Sequence, residues 1–163
     1  MESSESTKNT IKKIFADYLD KHAMRKTPER FAILDKIYSI KGHFDVETIY
    51  NMLLEDNYHV SKATIYNNIG LLLDCKLVTR HQFGGNTTQY ERSYNTGIHN
   101  HIICTKCGMV REFTDTNIKR AIQNKHLRDF TIESYTLYIY GICDKCKQQE
   151  EAIMAEKPGK EKK

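Results

Sequence analysis

Residues 61–91 read SKATIYNNIGLLLDCKLVTRHQFGGNTTQYE, and the change of period inside this stretch decides the fold. Ser61 is a good N-cap, and Ile65, Ile69, Leu72 and Leu73 recur on one face of a helix running from Lys62 to about Asp74. After Lys76 the pattern becomes extended. Leu77 to Phe83 is strand-like, Gly84-Gly85-Asn86 is a turn, and Thr87 to Glu91 returns. Amphipathic helices alone would make a plain bundle. A hairpin placed directly after the last of them is the wing of a winged-helix domain.

The residues upstream supply the other helices. Ile11, Ile14, Phe15, Tyr18 and Leu19 have helical spacing. Thr27, Pro28 and Glu29 form a start signal for a second helix carrying Phe31, Leu34, Ile37 and Tyr38. Gly42 ends the connection, and Asp45 caps a third helix with Val46, Ile49, Tyr50, Leu53 and Leu54 inward. Short helices joined by a brief turn to a further helix make a helix-turn-helix unit. Its reader would be the helix after Ser61. Ser61, Lys62, Thr64, Tyr66 and Asn67 would enter the major groove of double-stranded DNA, with Arg25 and Lys26 reaching phosphates or the minor groove.

Downstream, Arg92 to Gly97 has no period and reads as a hinge. Ile98 to Ile103 and Met109 to Phe113 are strand-like, Thr114 or Asp115 caps a helix to about Leu127, and Phe130 to Ile142 is extended. This is a small α/β domain whose edge strands can pair with a second copy. The fold class is therefore α+β: a winged helix-turn-helix domain (1–92), a hinge (93–97), a dimerisation and metal-binding domain (98–150) and a disordered tail (151–163).

That second domain carries two CxxC pairs, Cys104/Cys107 and Cys143/Cys146, separated by 35 residues. Four thiolates close a tetrahedral Zn²⁺ site, and a module this small has reason to depend on one. The fifth cysteine, Cys75, stands apart. The N-terminus is polar and no membrane-spanning run occurs, so the chain reads as cytoplasmic, where paired cysteines hold metal more often than disulfides. Neither pair opens a helix in a βαβ pattern, which argues against thioredoxin-like chemistry. His99 and His101 stand two apart, on one face of a strand, and Glu112 lies across the knuckle from them. Such a nitrogen and oxygen set suits Fe²⁺, Mn²⁺ or Zn²⁺. Alone, the two histidines would read as exposed titrating groups. His43 and Glu91 are further candidates on the helical domain. A cation shared by both sets would lock the hinge, which is what a switch requires. Net charge is weak: +1 over residues 1–92 and +3 over 93–163, so DNA binding rests on motif rather than bulk charge.

With these residues in view, the chain resembles the ferric uptake regulator family from about Arg25 to Cys146. The matching pieces are Thr64-Ile65-Tyr66, Gly42-His43-Phe44, Gln89-Tyr90-Glu91, the string from His99 to Gly108, and Tyr138 to Cys143. The resemblance implies a homodimeric, metal-dependent transcription factor, generally a repressor, that binds AT-rich inverted repeats. It implies structural zinc on Cys104, Cys107, Cys143 and Cys146, and a sensing site on His43, Glu91, His99, His101 and Glu112. A third metal site carried by many relatives is lost, since its positions hold Ile98, Asn100, Lys119 and Tyr135. Asn67 stands where the family commonly has Arg, and Glu91 favours the iron-sensing branch over peroxide- or zinc-sensing ones.

The expected function is an iron-responsive repressor of metal-uptake genes. The alternatives are a winged-helix regulator with structural zinc only, and a peroxide- or zinc-responsive member of the same family. An enzyme is not expected: a metallohydrolase would need an HExxH-like helix and an open coordination position.

Overall fold

The computed structural model describes residues 2–83, 88–132 and 134–155. The chain divides into two units after Thr96.

The first unit is built on four helices: α1 (Glu2–Lys21), α2 (Pro28–Ser39), α3 (Val46–Glu55) and α4 (Lys62–Asp74). Asp45 and Ser61 cap α3 and α4, their side chains accepting from the amides of Thr48 and Thr64. Thr27 takes the extended cap conformation at α2 but makes no side-chain cap bond there. Ile11, Phe15, Leu19, Ile33, Leu34, Ile37, Ile49, Leu53, Ile65, Ile69 and Leu72 all bury into one core. Three of the helices end alike. Ala23, Asn57 and Lys76 take positive φ, and the next amide reaches back to the carbonyls of Leu19, Leu53 and Leu72. These stops turn the chain sharply without a glycine.

The third stop feeds β1 (Val78–His81), which pairs antiparallel with β2 (Gln89–Arg92), Thr79 facing Glu91 and His81 facing Gln89. Helices followed by this two-stranded wing make the unit a winged helix. The turn expected at Gly84-Gly85-Asn86 lies outside the described residues. Phe44 adds a bridge to the outer edge of β2, exchanging both backbone hydrogen bonds with Tyr90 at 2.8 and 2.7 Å. Within the expected hinge, residues 93–96 are ordered on this unit: the Ser93 amide bonds Leu77 O, Thr96 Oγ1 bonds Ser93 O, and Tyr94 packs against the core.

The second unit holds a three-stranded sheet, order β4-β3-β5, of β3 (Asn100–Cys104), β4 (Val110–Phe113) and β5 (Tyr138–Gly141), with α5 (Thr116–Gln123) and α6 (Asp144–Ala155). Two expectations need correction. The helix capped by Asp115 ends at Gln123, not near Leu127, and the expected extended run from Phe130 to Ile142 is strand only where it pairs parallel with β3. Asp129 at positive φ and the Leu127–Phe130 bridge make a turn of what precedes. Helix α6 was not anticipated, and it carries the chain to Ala155, into the stretch 151–163 expected to be a disordered tail. Among the described residues the apolar side chains that are buried here are Ile103 and Cys104, while Met109, Phe130, Ile139, Tyr140 and Ile142 are exposed.

Candidate metal centres and nucleic-acid face

The four cysteines of the two pairs converge. Cys104 ends β3, and the tight turn after it is closed by Gly108 N to Cys104 O and Cys104 N to Met109 O, both 2.9 Å. Gly108 sits at φ +72, a conformation that favours glycine. Thr105 ties this knuckle to the end of β5, its amide donating to Gly141 O at 2.8 Å. Cys143 lies two residues further on, and Cys146 sits in the first turn of α6. The four sulfurs lie within 4.8 Å of one another, and Cys107 Sγ is 3.8 Å from Cys143 Sγ. A disulfide would need about 2.0 Å. A tetrahedral zinc with Zn–S of about 2.3 Å has edges of about 3.8 Å, so the donor set fits Zn²⁺. The amides of Cys107 and Cys143 hold the Cys104 thiol down at about 6, ready as a thiolate. Cys146, hydrogen-bonded to Cys143 and its neighbours, is pushed up to about 12. Zinc taken up here would displace protons and leave no open position, which is a structural site.

The first unit brings three nitrogen and oxygen donors together. The Phe44–Tyr90 bridge sets His43 beside Glu91, with His43 Nε2 at 3.7 Å from Glu91 Oε2. His81 Nε2 lies 3.3 Å from the same oxygen. His81 and Glu91 are buried, with 4% and 8% side-chain exposure, and His43 is largely covered at 12%. His81 is the residue sequence reasoning missed. Only the hairpin register exposes it: His81 is the diagonal neighbour of Glu91 on the same face.

In the second unit, His101 pairs directly with Glu112 across β3 and β4, so both point to one face. His99 precedes β3 and lies 4.9 Å from the His101 ring. Donor atoms of His99, His101 and Glu112 lie within 4.8 Å of one another. His99 Nδ1 is 2.9 Å from Gly97 O, an arrangement that leaves Nε2 as the ligand atom. Of the four positions where the expected third site lacks its ligands, Asn100 is buried within β3 and Lys119 is exposed on α5. Among the described residues no further cluster of three donors forms around them.

On α4, Tyr66 and Asn67 are exposed, Tyr66 by 57%. Four of the other expected DNA contacts are engaged within the protein. Ser61 and Thr64 share a hydroxyl contact of 2.8 Å at the helix start. Lys62 Nζ pairs with Glu47 Oε2 at 2.5 Å and lies 5.0 Å from the centre of the Tyr50 ring. Lys26 pairs with Asp20 at 2.6 Å, whereas Arg25 is exposed.

A model of the ferric uptake regulator family matches residues 21–140. The peroxide-responsive repressor PerR of Staphylococcus epidermidis is 33% identical over 132 residues, covering 80% of this chain and 87% of that protein. The solved structure of the ferric uptake regulator from Pseudomonas aeruginosa with manganese is 28% identical, with TM-score 0.70, covering 79% of this chain and 97% of that one. That of the Vibrio cholerae regulator is 29% identical, with TM-score 0.59, covering 77% and 96%.

Proposed function

The chain belongs to the ferric uptake regulator family, and from that premise we propose that it is an iron-responsive repressor of metal-uptake genes. Members are metal-responsive, DNA-binding dimers rather than enzymes, and so is this protein. In the proposed mechanism an exchangeable divalent cation takes donors from both units: His43 and Glu91 from the winged helix, and His99, His101 and Glu112 from the second unit. Binding both sets fixes the orientation of the two recognition helices in a dimer at the spacing of an AT-rich inverted repeat. To move the competent fraction from about 1% to about 99%, the ion must bind that state about 10⁴-fold better than the other. Zinc on the four cysteines holds the second unit in shape. The exposed Ile139 and Tyr140 of β5 and Ile142 just after it suit the dimer contact.

The observation that carries this reading is Glu91, a buried carboxylate between two imidazoles. Such a set suits a borderline or hard divalent ion, and thiolate softness is confined to the other site. No helix among the described residues is long and apolar enough to cross a membrane, and the site of action we propose is the cytoplasm.

A second reading is response to peroxide, favoured by the peroxide-responsive relative at 33% identity. Fluorescence anisotropy on AT-rich inverted-repeat DNA, with and without Fe²⁺ or Mn²⁺, tests both. Wild type is expected to bind tightly only with metal, and His99→Ala weakly throughout. Equal affinity in all four cases refutes metal sensing. Irreversible release after brief peroxide treatment of the iron form, but not the manganese form, selects the peroxide reading.

A further inference from the structure

We propose that His81 is a metal ligand, and that His43, His81 and Glu91 hold the cation on the winged-helix unit without a donor from the second unit. The proposal rests on the regulatory reading and extends it. The family resemblance implies His43 and Glu91 alone from this unit, and two donors hold a divalent ion poorly.

The geometry supplies the third. Both imidazoles aim Nε2 at the same oxygen, Glu91 Oε2, at 3.3 Å from His81 and 3.7 Å from His43. A histidine hydrogen-bonded to a glutamate would account for the shorter distance only, because 3.7 Å is beyond hydrogen-bond range. Donors about 2.1 Å from a tetrahedral ion stand about 3.4 Å apart, close to both values. The set is also desolvated, with none of the three side chains more than 12% exposed.

The rings are held in these orientations by their aromatic neighbours. Phe83 stacks on His81 at 5.2 Å and 6°, and meets His43 edge-on at 4.7 Å and 89°. The two imidazoles meet at 5.3 Å, nearly perpendicular. The Phe44–Tyr90 bridge fixes the loop that carries His43 against the strand that carries Glu91. Three donors from a loop and both wing strands are thus preorganised within one folded unit. On this proposal, holding the cation on this unit and engaging His99, His101 and Glu112 are separate steps.

The test uses the full-length chain with zinc retained on its cysteines and Co²⁺ as the probe. In a variant carrying His99→Ala, His101→Ala and Glu112→Ala, Co²⁺ is titrated by calorimetry and the imidazole signals are read by NMR. We expect one Co²⁺ per chain with two hyperfine-shifted imidazoles, assigned to His43 and His81. Adding His81→Gln should weaken binding by at least about 100-fold, the upper end of what losing a group that merely orients a ligand costs. No binding in the stripped variant, or a single shifted imidazole, overturns the proposal, and neither readout requires His81 to be replaced. Metal-dependent DNA binding by wild type together with a negative Co²⁺ result would sink this inference and leave the regulatory reading standing. Metal-independent DNA binding with a positive Co²⁺ result would do the reverse.

Discussion

Replacing Cys104 by serine should unfold the second unit and leave the winged helix intact. The two units are stabilised by different means. The core of the first is a continuous cluster from Ile11 to Tyr90. Among the described residues the second unit buries Ile103 and Cys104 as its apolar side chains. Full burial of one such side chain contributes about 1.5–3 kcal/mol. Zinc on a four-cysteine site contributes on the order of 10–16 kcal/mol. Metal therefore outweighs the unit's own apolar core several-fold. Cys104 is the most consequential of the ligands: it is buried, it ends β3, and its sulfur accepts the Cys143 amide at 3.3 Å, joining the two knuckles. Loss of one thiolate of four should remove roughly a quarter of the metal's contribution, about 3 kcal/mol, and more if zinc dissociates altogether. Hydrogen exchange followed by mass spectrometry reads the units separately. Cys104→Ser, or wild type after chelation, should lose protection across β3, β4 and β5 while α2 to α4 stay protected. Zinc-free protein with unchanged protection in β3 would refute the reasoning.

Other outcomes follow from single contacts. Burial pushes the Tyr38 phenol up to about 12, and its hydroxyl donates to Leu77 O at 2.8 Å. The folded value lies above the ordinary 10, so this stabilisation is complete below pH 10 and is lost between pH 10 and about 12. Tyr38→Phe should cost about 1 kcal/mol near neutrality, and its urea midpoint should converge with wild type as pH rises through that window. Asp45 caps α3, accepting from the Thr48 amide at 2.8 Å, so Asp45→Ala should lower stability by about 1 kcal/mol in urea titration. Glu47 competes with a phosphate for the Lys62 ammonium. Glu47→Gln should therefore tighten DNA binding, and Lys62→Ala should lower the salt slope of DNA binding by about 1, both read by anisotropy over a salt series.

Much of this was legible in the chain because local and global signals agree. Asp45 and Ser61 cap helices as their residue types require, and the apolar stripes of the four helices meet in one core. The two CxxC pairs announced their site because spacing alone nearly fixes thiolate geometry. Legibility failed where long-range pairing decides. His81 looks like an ordinary wing residue until the register puts it diagonal to Glu91. The bridge that brings His43 to that carboxylate joins residues far apart in sequence, Phe44 and Tyr90. The turns after α1, α3 and α4 were hidden for another reason: Ala23, Asn57 and Lys76 take a left-handed conformation that composition assigns first to glycine. Helix α6 was obscured by its charged, weakly patterned sequence, and its start is fixed by the second knuckle. The lysine contact of α4 could not be read either, since a sequence does not say that Lys62 turns toward Glu47.

The central claim is that cation binding and DNA binding are one coupled equilibrium. Coupling between two ligands is reciprocal: whatever factor the cation adds to DNA affinity, DNA must add to cation affinity. The direct measurement is Mn²⁺ affinity of the zinc-retaining dimer, with and without a saturating AT-rich inverted-repeat duplex selected by the manganese-loaded protein. The account predicts tighter Mn²⁺ binding on DNA, by the same factor that Mn²⁺ tightens DNA binding, and loss of that difference in Glu91→Gln. The same Mn²⁺ affinity with and without the duplex would contradict it.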